Sequence, residues 1–113
     1  MTFPELREAL LKISSQEVSA AVDYYLEAVV NKGRFDDLTA LLNNYFGVPL
    51  KPAGAASTEE MNRIAGRYGG VRDQQILYAV KREKVNDIAL VWPWARGERF
   101  TVKLIREAAL FKK

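Results

Sequence analysis

Apolar positions in the first 46 residues recur at spacings of three and four, the period of a helix with one buried stripe. Leu6, Ala9, Leu10 and Ile13 form the first stripe. Ahead of it, Thr2 can cap, Pro4 suits a first turn, and Glu5 can reach back to close a capping box. Ser14-Ser15-Gln16-Glu17 repeats the box, which predicts a break and a second helix. Val18, Ala21, Val22, Tyr25, Leu26, Val29 and Val30 share one face of that helix, which runs to about Asn31 with Gly33 as its C′ residue. Asp36 and Asp37 open a third helix with the stripe Leu38, Leu41, Leu42, Tyr45 and Phe46. Gly47 ends it and Pro49 prevents its resumption.

Residues 48–57 carry two prolines and a glycine and read as an extended connector. Ser57-Thr58-Glu59-Glu60 caps a short fourth helix, with Met61, Ile64 and Ala65 inward, closing at Gly69-Gly70. Beyond Gly70 the period becomes two. Ile76, Tyr78 and Val80 alternate with Leu77, Ala79 and Lys81, and a turn is expected at Lys84-Val85-Asn86-Asp87. Ile88, Leu90, Trp92 and Trp94 alternate with Ala89, Val91, Pro93 and Ala95. After a turn at Arg96-Gly97-Glu98, Phe100, Val102 and Leu104 alternate with Thr101, Lys103 and Ile105. Residues 106–113 read as a short terminal helix or a tail. The expectation is one α+β domain over 1–113: a helical region at 1–47, a connector at 48–57, and a short helix followed by a sheet at 58–113. About four helices precede a three-stranded antiparallel meander and pack on one face of it.

Trp92-Pro93-Trp94 is the conspicuous stretch. Regular alternation puts both indoles on the face of Ile88 and Leu90, which favours the core. Pro93 lacks a donor, although a meander makes this the middle strand. Two resolutions follow. The Pro93 nitrogen points past the end of a short neighbour, or a bulge turns one indole outward beside Arg96 and Arg99 as a stacking platform.

Composition narrows the chemistry. The chain has no cysteine and no histidine, which removes disulfides, thiolate metal sites, thiol catalysis and Ser-His-Asp arrangements. No spacing of carboxylates selects a catalytic or metal pair, and no cofactor is implied. The net charge of +3 is unevenly placed. Residues 1–56 hold 5 Lys/Arg against 7 Asp/Glu, and residues 57–113 hold 12 against 7. Lys81, Arg82, Arg96, Arg99 and Lys103 lie in the sheet region, so with Trp92 and Trp94 they form the candidate binding set. The longest apolar runs are too short to span a bilayer, and the first residues lack a signal-peptide pattern, so the expected location is cytoplasmic.

The leading expectation is a non-catalytic binding module whose basic sheet half meets an acidic partner, protein or nucleic acid. A homo-oligomeric subunit is a further reading, because stripes such as Leu38 to Phe46 suit an interface as well as a core. An enzyme without histidine is another. Tyr78, Arg82, Arg96, Arg99 and Lys103, on helices followed by a meander, resemble RelE-type toxins over the last forty residues or so. That resemblance implies a ribonuclease working through arginine, lysine and tyrosine. The opening strand of those toxins is missing from this reading, and no residue roles are carried over.

Overall fold

A computed structural model describes residues 1–15, 18–22, 24–70 and 72–108, with residues 18–22 and 67 described by their backbone alone. The elements are α1 (Phe3–Ile13), β1 (Val18–Val22), β2 (Tyr25–Asn31), a 3-10 turn at Lys32–Arg34, α2 (Phe35–Phe46), α3 (Glu59–Ala65), a second 3-10 turn at Gly66–Tyr68, β3 (Ile76–Lys81), β4 (Val85–Pro93) and β5 (Arg99–Ala108). Strands β2, β5, β4 and β3, in that spatial order, make a continuous antiparallel sheet, and the short β1 extends it beyond β2.

The α+β class holds, but the expected layout does not. Among the described residues three α-helices form, not four, and the three-stranded meander is only a portion of the sheet. The segment expected as the second helix is the β1–β2 hairpin, so residues 1–47 are not all helical. Its apolar residues fit either period, as short apolar runs do. What decides is β5. Leu26 pairs with Leu104, Ala28 with Val102 and Val30 with Phe100, so alternate β2 residues enter the core. The valines at 18, 22, 29 and 30 also suit a pleated strand better than a helix. Ser14 is the C-cap of α1, not the N-cap of a successor: its amide donates to the Leu10 carbonyl. Ser15 then donates to Val29, which leads the chain into the hairpin. Glu17 lies outside the described residues.

The helices occupy both faces of the sheet, not one. Phe3, Leu6 and Leu10 of α1 and Leu38 and Leu42 of α2 bury against Leu26, Val30, Tyr78, Val91, Val102 and Leu104. We call this the closed face. On the other side, Ala65, with Met61 and Ile64, packs α3 on Leu77, Ile88, Leu90 and Ile105. The run Ile88-Ala89-Leu90-Val91 is buried throughout, so β4 is apolar on both faces and needs cover on both. The N-cap of α3 is Thr58, whose hydroxyl accepts from the Met61 amide.

Two other expectations shift. The first sheet turn is at residues 82–84, closed by the Arg82 amide on the Val85 carbonyl. Val85, Asn86 and Asp87 are therefore strand residues. Strand β5 runs on to Ala108, so residues 106–108 are not helical, and 109–113 lie outside the described residues. The connector is stitched to the sheet at Lys51, which exchanges backbone hydrogen bonds of 3.1 and 3.0 Å with Leu77. The Lys51 side chain is fully buried, and its Nζ donates to the carbonyls of Pro52, Asp73 and Gln75. Burial pushes its ammonium below the ordinary value, and Asp73 partly offsets this. No helix among the described residues is long and apolar enough to cross a membrane.

Asp87 is the centre of a buried ion cluster. Its carboxylate has no exposed surface and accepts from Arg106 Nε at 2.7 Å, Arg106 Nη2 at 3.0 Å, Arg82 Nε at 2.8 Å and the Tyr45 hydroxyl. Burial pushes the carboxyl up, but bonds from Arg106, Tyr45 and Arg82 outweigh it and hold it below the usual 3.8. The unfolded chain therefore takes up this proton first as the pH falls past 3.8. The cluster stabilises the fold above that pH and loses its effect below. Asp87→Asn should lower the unfolding free energy by about 3 kcal/mol at neutral pH, since it strips the charge from a buried pair. It should also flatten the loss of stability between about pH 5 and 2 that urea titrations of the parent chain are expected to show. Equal acid sensitivity in the two proteins would refute this account.

Candidate binding face

The open face has a cover shorter than itself. The seven residues of α3 span about 10 Å at 1.5 Å per residue. The ten residues of β5 span about 33 Å at 3.3 Å per residue. The short helix shields the rows of Ile88, Leu90 and Ile105, and the chain from Tyr68 to Gly69 extends that shield to Trp92. Beyond Trp92 the sheet runs on towards the 94–98 turn.

Pro93 fits because of where β3 stops. The Trp94 amide donates to the Arg99 carbonyl at 2.9 Å, so this is a hydrogen-bonded pair and Pro93–Phe100 is not. The Pro93 nitrogen therefore points away from β5, to the side of β3. There the last pairing is Ile76 with Val91, two residues earlier. No ladder bond is lost, and no bulge is needed.

The two tryptophans consequently have different surroundings. Trp92 is half-buried against the α3 cluster. Lys103 Nζ sits 4.7 Å from its ring centroid and donates to the Tyr68 carbonyl at 3.0 Å. Gly69, at φ +103, adjoins both groups: a Cβ there would lie 3.5 Å from the Trp92 ring and 3.7 Å from Lys103 Nζ, in a backbone region that side chains avoid. Trp94 lies past the end of β4 and is 42% exposed. Its Nε1 donates to the Thr101 hydroxyl at 2.9 Å, and the Arg99 guanidinium lies 5.4 Å from its ring centroid. The indole is thereby fixed while much of it stays in water.

The seven residues picked from the sequence do not form one site. Trp94, Arg96 and Arg99 share the end of the sheet at the 94–98 turn, with Arg96 exposed on the turn itself. Trp92 and Lys103 adjoin them but are engaged in packing. Lys81 pairs with Asn86, eight residues along the strand from Trp94, so it lies about 26 Å away at 3.3 Å per residue. Arg82 is beside it and spent on Asp87. The set read against RelE-type toxins is dispersed too: the buried Tyr78 hydroxyl is on the closed face, donating to Asn43 at 2.9 Å.

One residue joins the Trp94 end unannounced by the sequence. The Lys32 amide donates to the Glu98 carbonyl at 2.8 Å, which brings exposed Lys32 alongside the turn. Only the pairing of Asn31 with Arg99 puts it there, so no local motif could have marked it. Among the described residues, no group of three or more Cys, His, Asp or Glu side chains is placed to hold a metal ion. No protein-family model, curated protein or solved structure matches the chain.

The asymmetry of the tryptophans has an optical consequence. Trp92→Phe, which leaves Trp94, should emit at longer wavelength and be quenched freely by acrylamide. Trp94→Phe, which leaves Trp92 under Lys103 and Gly69, should emit further to the blue and resist quenching. Matching spectra from the two variants would contradict the placement.

Proposed function

We propose that the protein is a non-catalytic binding module whose site is the Trp94 end of the open face, and that its acidic partner is single-stranded nucleic acid. The observation that carries this reading is the exposed indole of Trp94, fixed by Thr101 and set against the Arg99 guanidinium. A clamped aromatic ring with one side in water is a platform on which any base can stack. Arg96 and Lys32 beside it supply positive charge for a phosphate backbone. Ion pairing alone would favour an acidic protein equally, so it is the indole that selects a nucleic acid.

The homo-oligomer reading draws no support from the stripe named for it. Leu38 and Leu42 of α2 are fully buried against the sheet and so belong to the core.

Anisotropy titrations with fluorescent single strands of about ten nucleotides, a length within the usual site sizes, test the proposal. Binding should weaken with salt at a slope of about −2 in log K against log salt, for three phosphate contacts. Trp94→Ala should weaken it about 5- to 150-fold, the equivalent of about 1–3 kcal/mol of stacking, while Lys81→Ala leaves it unchanged. Absence of salt-dependent binding at micromolar protein sinks the reading. Equal affinity for poly-glutamate moves the partner to an acidic protein.

A further inference from the structure

At the opposite end of the molecule, α1, the β1–β2 turn and the C-terminal portion of β5 enclose a cleft of about 460 Å³, lined by Phe3, Pro4, Arg7, Glu8, Tyr24 and Arg106. Its size is that of sites for small metabolites. We propose that this cleft binds a small ligand through an oxyanion, a phosphate or carboxylate group held by Arg7 and Arg106, with an aromatic or apolar body against Pro4 and Tyr24.

Arg7 gives the first reason. Its Nε is buried and has no hydrogen-bond partner, and it is the one such side-chain nitrogen or oxygen among the described residues. Elsewhere the fold satisfies even the fully buried ammonium of Lys51. Arg7 as a whole is only half-buried, but its Nε–H is shut away without an acceptor, which is costly, so its persistence asks for an acceptor that arrives from outside.

Arg106 gives the second. Asp87 holds its Nε and Nη2, Tyr45 also meets Nη2, and the guanidinium lies 4.5 Å from the Phe3 ring centroid. The group is fixed before any ligand binds, and its Nη1 takes part in none of these bonds. A guanidinium held in one orientation beside a second one suits the planar, two-point geometry of carboxylate and phosphate oxygens. The aromatic walls give the third reason. Phe3 is buried with its ring against Arg106, whereas Tyr24 is an exposed phenol on the β1–β2 turn. A flat ligand body would lie against Tyr24 and the exposed Pro4 beside it in the lining. Glu8, exposed on the rim, is the one acid in the lining. It disfavours a bare dianion and favours a ligand that carries a hydroxyl or an amine near its oxyanion.

The full chain, titrated at constant ionic strength with sodium chloride as the reference anion, tests the site. The probes are inorganic phosphate, phenyl phosphate and benzoate. Either aromatic probe should raise the melting temperature saturably, and more than inorganic phosphate does; which of the two binds tighter separates a phosphate from a carboxylate ligand. The ¹⁵N–¹H signal of Arg7 Nε should shift along the same binding curve, a readout that needs no variant. Arg7→Gln should abolish the effect, and Arg7→Lys, which keeps the charge and loses the fork, should weaken it about tenfold or more. Tyr24→Ala, on the surface, should weaken it as well. Ligand-free Arg7→Gln should be as stable as the parent, since it removes a buried N–H that has no acceptor. Saturable binding that survives Arg7→Gln, an Arg7 signal that does not move, or no effect beyond chloride would each overturn the proposal.

Discussion

A carboxylate without exposed surface organises one end of this protein. Asp87 lies on β4, yet its partners come from α2, the turn after β3, and β5. The cations that neutralise it also meet aromatic rings: Arg82 lies 5.2 Å from Tyr45, Arg106 lies 4.5 Å from Phe3, and those rings meet edge to face. Tyr45 and Phe3 belong to the two helices of the closed face. The single charge therefore sets how both helices sit on the sheet, and it does so directionally, which apolar contact alone does not. It also fixes Arg106 at the mouth of the cleft beside Arg7.

The opposite end is built on another principle. There the sheet outruns its cover, and aromatic surface stays in contact with water under cations instead of under a helix. Lys103 and Arg99 lie over Trp92 and Trp94 respectively, and each cation has a neighbour of the same chain to hold it or its ring in place. The basic character of the C-terminal half is thus divided. Arg82 and Arg106 neutralise Asp87, Lys103 caps Trp92, and Arg96 and Arg99 lie around Trp94.

Local patterns were the legible portion of this chain. The Thr2–Glu5 box, the stripe of α2, the stops at Gly47 and Gly69 and the alternation of β3 to β5 are all written within a few residues, and each appears in the fold. Gly33, by contrast, expected to end a second helix, lies in a 3-10 turn after β2. What could not be read depends on partners far along the chain. Residues 18–31 carry an apolar pattern that suits helix and strand alike, and the choice is made by β5. Asp87 looks like a turn residue until Arg82 and Arg106 are brought to it. Lys51 looks like a connector residue until three carbonyls close round its ammonium. The continuous run from Ile88 to Val91 did carry a signal for cover on both faces, because alternation is lost when both sides of a strand are buried. For the candidate site, the pairing of Trp94 with Arg99 and Arg96 followed from the hairpin. Lys81 and Arg82 were grouped with them only because charge was counted along the sequence and not along the strands.

Strand β5 is last of the five in sequence but lies between β2 and β4 in space. Its pairing with β2, from Tyr25–Ile105 to Asn31–Arg99, closes loops of roughly 70–80 residues, the kind of contact that slows folding most. Until β5 docks, β2 and β4 each present an unpaired edge rich in valine, leucine and isoleucine. A chain emerging from the ribosome carries both edges open until β5 is out. The interval before that strand inserts is when two such chains are most able to join each other instead of closing on themselves.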